Sequence, residues 1–232
     1  MKRKSFTLVE ILVVIAIITI LMGLLFPALG MVKEKAYMRQ SLSDVKAIHM
    51  AIKSFKNDYG YLPFKPSSTE KNKDVLFYGT KAKDCQTSTG ESAVGFKNDS
   101  TTCKDVFKSD DTLVTDYFTL FTALCYLDRA TGAPPTSGDA FDLNSKKVKF
   151  LTPSSKYSNS DEKKGGYRDP WGRPYLVFLD ADYDGKIILP GGKEIYDDAA
   201  VVGEGSFEHS NSDKLSDLLK DKNKSKIVTS WQ

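Results

Sequence analysis

Lys4-Ser5-Phe6-Thr7-Leu8-Val9-Glu10-Ile11-Leu12-Val13-Val14-Ile15-Ala16-Ile17 opens the apolar stretch on which the reading of the whole chain turns. From Phe6 to Leu29 few polar residues interrupt it, and as a helix it is just long enough to span a hydrocarbon core of about 30 Å. Lys2, Arg3 and Lys4 precede it. Such a basic flank keeps the N-terminus cytoplasmic and sends the C-terminal bulk across. A secretory signal peptide starts the same way. Here, however, no A-x-A-like cleavage site comes after the run, and the pattern passes into a second helical stretch.

Glu10 separates a simple anchor from something more specific. A carboxylate inside an apolar span costs a few kcal/mol unless it is paired or protonated. The leader cations lie toward the cytoplasmic interface and do not serve it. A cut between Ser5 and Phe6 creates an α-amino group one helical turn away, and in a polymer a neighbouring chain's amine reaches Glu10 in the same way. The placement suits a processed, assembling helix.

These residues closely resemble the N-methylation motif of type IV prepilins and type II secretion pseudopilins. The resemblance implies that a prepilin peptidase/N-methyltransferase cuts before Phe6 and methylates it, and that Glu10 aligns subunits. It also matches Pro27 to the family's helix-kinking proline. Ser5 departs from the glycine that usually precedes the cut, yet keeps its small size.

Beyond Pro27, Leu42, Val45, Ile48, Ile52, Phe55 and Tyr59 recur at spacings of three and four, the apolar face of an amphipathic helix. Gly60 supplies its stop. The chain divides into a leader (1–5), a transmembrane or filament-core segment (6–29), an amphipathic continuation (30–59) and an extracytoplasmic domain (60–232). Residues 64–111 read as a long polar loop with a short strand near Val75–Tyr78. Leu113–Leu127 reads as a second helix capped by Asp111 or Thr112, with another polar loop from there to Gly166. Tyr175–Leu179, Lys186–Leu189 and Glu194–Val202 read as a three-stranded antiparallel sheet packed on the long helix. The fold class is α+β: a long N-terminal helix on a small antiparallel sheet, with a second helix and long loops.

Asp169-Pro170-Trp171-Gly172-Arg173-Pro174-Tyr175 is similar to the D-P-W-G-x-P-Y pattern of the major pseudopilin of type II secretion. Ile227-Val228-Thr229-Ser230-Trp231 looks like that subfamily's terminus, whereas its usual Gly-Asp-Gly loop is missing between Val202 and Lys226. Trp171 reads as a core anchor between helix and sheet.

Composition removes several function classes. The net charge of +3 equals the leader's contribution, so the remainder is neutral and offers no basic stripe for nucleic acid. No CxxC or Cys/His grouping suggests zinc. His49 and His209 read as solvated or capping residues, and no nucleophile motif or phosphate loop points to an enzyme. Cys85 and Cys103, in a polar Ser/Thr-rich stretch, suit a disulfide formed in an oxidising compartment. Cys125 lies among apolar residues and reads as a free buried thiol.

Asp180-Ala181-Asp182-Tyr183-Asp184-Gly185 matches the start of a D-x-D-x-D-G calcium loop, in which alternate carboxylates around a sharp turn converge on a hard cation. The twelfth position is Gly191 rather than Glu, so Glu194 or the Asp197–Asp198 pair must supply further oxygens. A solvated Asp/Gly hairpin turn is the competing reading. The resemblance adds weight, because major pseudopilins bind Ca2+ in a C-terminal loop.

The sequence thus leads us to expect a single-pass inner-membrane subunit with its domain in the periplasm. It polymerises with itself into a helical filament, alongside other pseudopilins and an inner-membrane assembly platform, to serve type II protein secretion. A type IV pilus subunit for adhesion, motility or DNA uptake, and a membrane-anchored calcium-dependent binding module, stay open.

Overall fold

The computed structural model describes residues 7–64, 74–77, 112–115, 117–128, 131–153, 167–189, 193–206 and 227–231. Helix α1 (Leu8–Tyr59) runs for 52 residues, close to 80 Å at 1.5 Å per residue. Thr7 caps its start in extended conformation. Gly60 ends it at φ 79°, the left-handed turn that a Cβ disfavours, with its N–H donating to the Lys56 carbonyl at 2.8 Å.

The amphipathic second half behaves as its periodicity requires. Val45, Ile48, Ile52 and Phe55 are fully buried, with Leu42 and Tyr59 packed at the margin. They cover a five-stranded sheet built from β1 (Asp74–Phe77), β2 (Thr112–Thr115), β3 (Leu176–Leu179), β6 (Ala199–Gly203) and β7 (Val228–Thr229), in the order β2-β1-β3-β6-β7. Neighbours pair antiparallel except β1 and β2, which run parallel. The antiparallel core of the sheet and the strand near residue 75 match expectation.

The three-stranded sheet does not form as read. β4 (Ile187–Leu189) and β5 (Lys193–Ile195) pair only with each other in a separate ribbon. The expected strand Glu194–Val202 is divided between β5 and β6. The entirely apolar stretch of β6 pairs directly with fully buried β3, and the Asp180 N–H extends that ladder to the Asp198 carbonyl at 3.0 Å. Residues between these two aspartates therefore leave the sheet as an excursion. Burial decides this: Lys193 and Glu194 are exposed and could not replace Ala199–Val202 in the centre.

The second helix also starts later than expected. Thr112–Thr115 is a strand, and α2 spans Tyr117–Cys125, so neither Asp111 nor Thr112 caps it. The β-branched Thr-Val-Thr content favours extended backbone there. A further helix, α3 (Asp139–Leu143), occupies part of the supposed loop. Buried Asn144 fixes the chain just past α3, donating to the carbonyls of Ala123 and Val148 at 2.7 Å each and accepting from the Tyr59 hydroxyl at 2.6 Å. Cys125 is free and buried in α2, as expected, and burial pushes its thiol up to about 12.

Candidate functional site

Two features carry chemistry, at opposite ends of the chain. The first is the start of α1. The Thr7 N–H donates to Glu10 Oε2 at 2.7 Å, the Thr7 hydroxyl donates to the same oxygen at 2.8 Å, and the Glu10 N–H returns a bond to Thr7 Oγ1 at 3.3 Å. This reciprocal capping box satisfies donors that a helix start leaves unpaired. The Thr-x-x-Glu spacing was present in the sequence, and it gives Glu10 a partner within its own chain. Ser5 and Phe6, the expected processing pair, lie outside the described residues.

From this cap onward the helix is apolar apart from Thr19 as far as Met22, and its described side chains there are exposed. Leu8 is 81% exposed, Ile11 51%, Ile15 55% and Leu21 60%. Exposure continues at Leu29, Met31 and Val32. Among the described residues no helix is long and apolar enough to cross a membrane. The spanning reading of residues 6–29 rests on the sequence run.

The second feature is the turn that leaves β3. Asp180, Asp182 and Asp184 each offer a carboxylate oxygen, all within 4.8 Å of one another. Asp180 is 1% exposed, Asp182 half-buried and Asp184 exposed. The backbone shapes the cluster: Asp180 accepts from the N–H of Asp184 at 3.1 Å and of Gly185 at 3.0 Å, and Asp184 accepts from the Lys186 N–H at 2.9 Å. Burial raises the Asp180 carboxyl above its ordinary range, opposed by the Gly185 N–H and reinforced by Asp182. Oxygens this close together are near enough to share one metal ion.

The structure does not bring the other expected ligands to this turn. Glu194 meets the Lys186 ammonium at 3.3 Å and the Tyr196 hydroxyl at 2.9 Å. Asp197 accepts from Lys53 at 2.9 Å and contacts His49 at 3.1 Å, while Asp198 pairs with Lys56. His49 is therefore neither solvated nor a cap; it ties α1 to the excursion between β3 and β6. His209, Cys85 and Cys103 lie outside the described residues. Trp171 is half-buried and meets Tyr37 of α1 edge-on at 5.5 Å, outside the helix–sheet core expected for it.

A buried polar group that sequence reasoning missed lies at the end of the sheet nearest Trp171. Asp169 Oδ1 accepts from the N–H groups of Trp171 at 3.0 Å and Arg173 at 2.7 Å, which shapes the Asp-Pro-Trp-Gly turn. Arg173 also reaches toward Glu204 at 3.8 Å. Burial and the nearby Glu204 charge, opposed by the Arg173 N–H, push Asp169 up to about 6. The Asp-Pro-Trp-Gly pattern marked Asp169, but nothing in the sequence gave its burial or that of Glu204.

Residues 1–26 match the family described as the prokaryotic N-terminal methylation motif. Type II secretion system core protein G of Escherichia coli K12 is 42% identical over 62 residues, covering 27% of this chain and 43% of that protein. Core protein G of Aeromonas hydrophila is 37% identical over 75 residues, covering 32% of this chain and 50% of that protein. The chain thus spans about half the length of the curated relatives it matches, and no solved structure matches it. Residues 1–26 thus carry a prokaryotic N-terminal methylation motif, and part of the chain is similar to type II secretion system core protein G.

Proposed function

We propose that this chain is a structural, non-catalytic subunit that polymerises into a type II secretion pseudopilus. The observation that carries the reading is the first half of α1, exposed all round from Leu8 to Met22 and apolar apart from Glu10 and Thr19, inside a methylation motif. Contiguous apolar surface on this scale needs cover. Lipid supplies it to a single subunit, and copies of the same helix supply it in a filament.

In this reading residues 1–5 are a leader and residues 6–29 cross the inner membrane once, leaving residues 60–232 in the periplasm. A prepilin peptidase/N-methyltransferase cuts between Ser5 and Phe6. An inner-membrane platform, together with other pseudopilins, then feeds the subunit into a helical homopolymer. There the Glu10 carboxylate meets the Phe6 amine of a neighbouring copy. The similarity to core protein G favours the secretion pseudopilus over a surface pilus. Mass spectrometry of membrane-extracted protein tests the processing step, with an N-terminal methylated Phe6 as the expected result. Recovery of only the intact Met1 form from cells containing the peptidase would overturn it.

Two further sites belong to this proposal. Cys85 and Cys103 form a disulfide after export, which non-reducing peptide mapping detects. Asp180, Asp182 and Asp184 hold Ca2+, with backbone carbonyls or water completing the six to eight oxygens that the ion takes. The ion supplies positive charge where three carboxylates crowd together. The chain's own part is to present those carboxylates on a turn already shaped by the N–H groups of Asp184, Gly185 and Lys186.

A further inference from the structure

The folded domain begins immediately above the apolar run of α1. Val32 is still 63% exposed, whereas Ser41 is fully buried. Between them lie Lys33, Lys35 and Arg39, offset by a single carboxylate, Glu34. Lys33 and Tyr37 share one helix face, with the ammonium 5.3 Å from the ring centroid. Lys35 and Arg39, also one turn apart, are exposed on another face, so cations stand on two faces of the helix at this level.

Trp171 reaches the same level from the far side of the sequence, edge-on to Tyr37 at 5.5 Å. Its position is preset. Asp169 accepts from the Trp171 N–H at 3.0 Å, and the Gly172 N–H closes the turn on the Asp169 carbonyl at 2.9 Å. Tyr37 stands eight residues past Leu29, about 12 Å along the helix axis, and long side chains on a helix lean back toward its N-terminus, here toward the bilayer. A bilayer's polar layer is about 5–8 Å deep on each side of its hydrocarbon core. Amphipathic Trp and Tyr rings collect in that layer, and basic side chains there meet phosphodiesters.

We propose that Tyr37 and Trp171, with Lys33, Lys35 and Arg39, form a docking collar that seats the folded domain on anionic phospholipid headgroups before the subunit enters a filament. This rests on the membrane-spanning reading of residues 6–29. The collar adds a specific orientation: the Asp-Pro-Trp-Gly turn faces the bilayer, and the excursion between β3 and β6 faces away. Charge complementarity and continuity with the apolar run select a lipid surface as the occupant.

The test uses the full chain carrying Trp231→Phe, which leaves Trp171 as the sole tryptophan. It is reconstituted in vesicles of phosphatidylcholine alone or mixed with phosphatidylglycerol. Flotation first reports insertion; a chain that does not float with either vesicle overturns the spanning reading and the collar together. For a chain that floats, Trp171 is expected to be shielded from acrylamide and quenched by lipid spin-labelled near the headgroup, more strongly with phosphatidylglycerol present. Lys33→Gln, Lys35→Gln and Arg39→Gln should each lower the docked-to-undocked ratio about fivefold, from the usual worth of a basic residue at an anionic surface. Flotation and near-ultraviolet circular dichroism should not change. Floating protein whose Trp171 is equally open to acrylamide in both vesicles, or is indifferent to all three variants, overturns the collar and leaves the spanning reading intact.

Discussion

The Glu10 carboxylate closes on the Thr7 N–H at 2.7 Å, so it completes the first turn of its own helix before any second chain is present. In the proposed filament Glu10 then has two separable roles. Capping requires an acceptor oxygen, whereas pairing with a neighbour's amine requires charge.

Glu10→Gln separates them, because the amide oxygen can keep the Thr7 N–H bond while the charge is lost. We expect this variant to be inserted and processed normally but to form no filaments. Thr7→Ala, which removes only the hydroxyl half of the box, should cost about 0.5–2 kcal/mol of local helix stability and still assemble. Shear-released filaments, visualised by electron microscopy, provide the readout. Normal filaments from Glu10→Gln would reduce the residue to a cap.

Asp169 should make the folded domain less stable as pH rises. Its carboxyl sits at about 6 in the folded state, against an ordinary value of about 3.9. Between these values the folded state binds more protons than the unfolded one. Asp169 is therefore least unfavourable below about pH 4, and the penalty is complete above about pH 6, with an order of magnitude of about 3 kcal/mol. Asp169→Asn keeps an oxygen for the Trp171 and Arg173 N–H groups and removes the titration. In detergent, the difference in melting temperature between variant and wild type should grow in the variant's favour from pH 4 to pH 7. A pH-independent difference would refute this assignment.

Gly203 tests the contact between α1 and the sheet. A Cβ there would lie 2.7 Å from Ser41 Oγ and 3.1 Å from a Tyr175 ring carbon. The Tyr175 hydroxyl in turn donates to Asp44 on α1 at 3.0 Å, so the ring has little freedom to retreat. Gly203→Ala should destabilise by about 1–3 kcal/mol. Adding Ser41→Ala, which removes the closest atom, should restore part of the loss. An unchanged melting temperature for Gly203→Ala would mean that helix and strand separate more easily than their packing implies.

Periodic and local patterns were the legible part of the sequence. The apolar spacing from Leu42 to Tyr59, the Gly60 stop and the buried Cys125 are of this kind, and each appears in the structure. Strand pairing is different, because β3 chooses between β4 and β6 by burial across a long separation. Lys186–Leu189 and Glu194–Val202 both read as strands of one sheet with Tyr175–Leu179 until their surroundings were known. The candidate site divides the same way. The Asp180–Asp182–Asp184 convergence was written in closely spaced residues, while the ties of Glu194 to Lys186 and of Asp197 to Lys53 arise from the folded ribbon and from α1.

Those ties sharpen the calcium prediction. With Glu194 held by Lys186 and Tyr196, the three aspartates are the acidic side chains left to carry binding at this turn. Binding to the folded state alone stabilises it by RT ln(1 + [L]/Kd), about 2.7 kcal/mol at a hundredfold excess of ligand over Kd. The full chain in detergent should therefore melt at a higher temperature in calcium than in chelator. Magnesium should do much less, since it demands near-ideal octahedral geometry and dehydrates reluctantly. Asp182→Ala should abolish the calcium shift while leaving the apo protein folded, because Asp180 still receives the Asp184 and Gly185 N–H groups. Glu194→Gln should retain the shift, because its carboxylate is directed to Lys186 and Tyr196. A wild type that melts alike in calcium and in chelator would make this an ordinary Asp/Gly turn. Loss of the shift in Glu194→Gln would instead require the ribbon to rearrange around the ion.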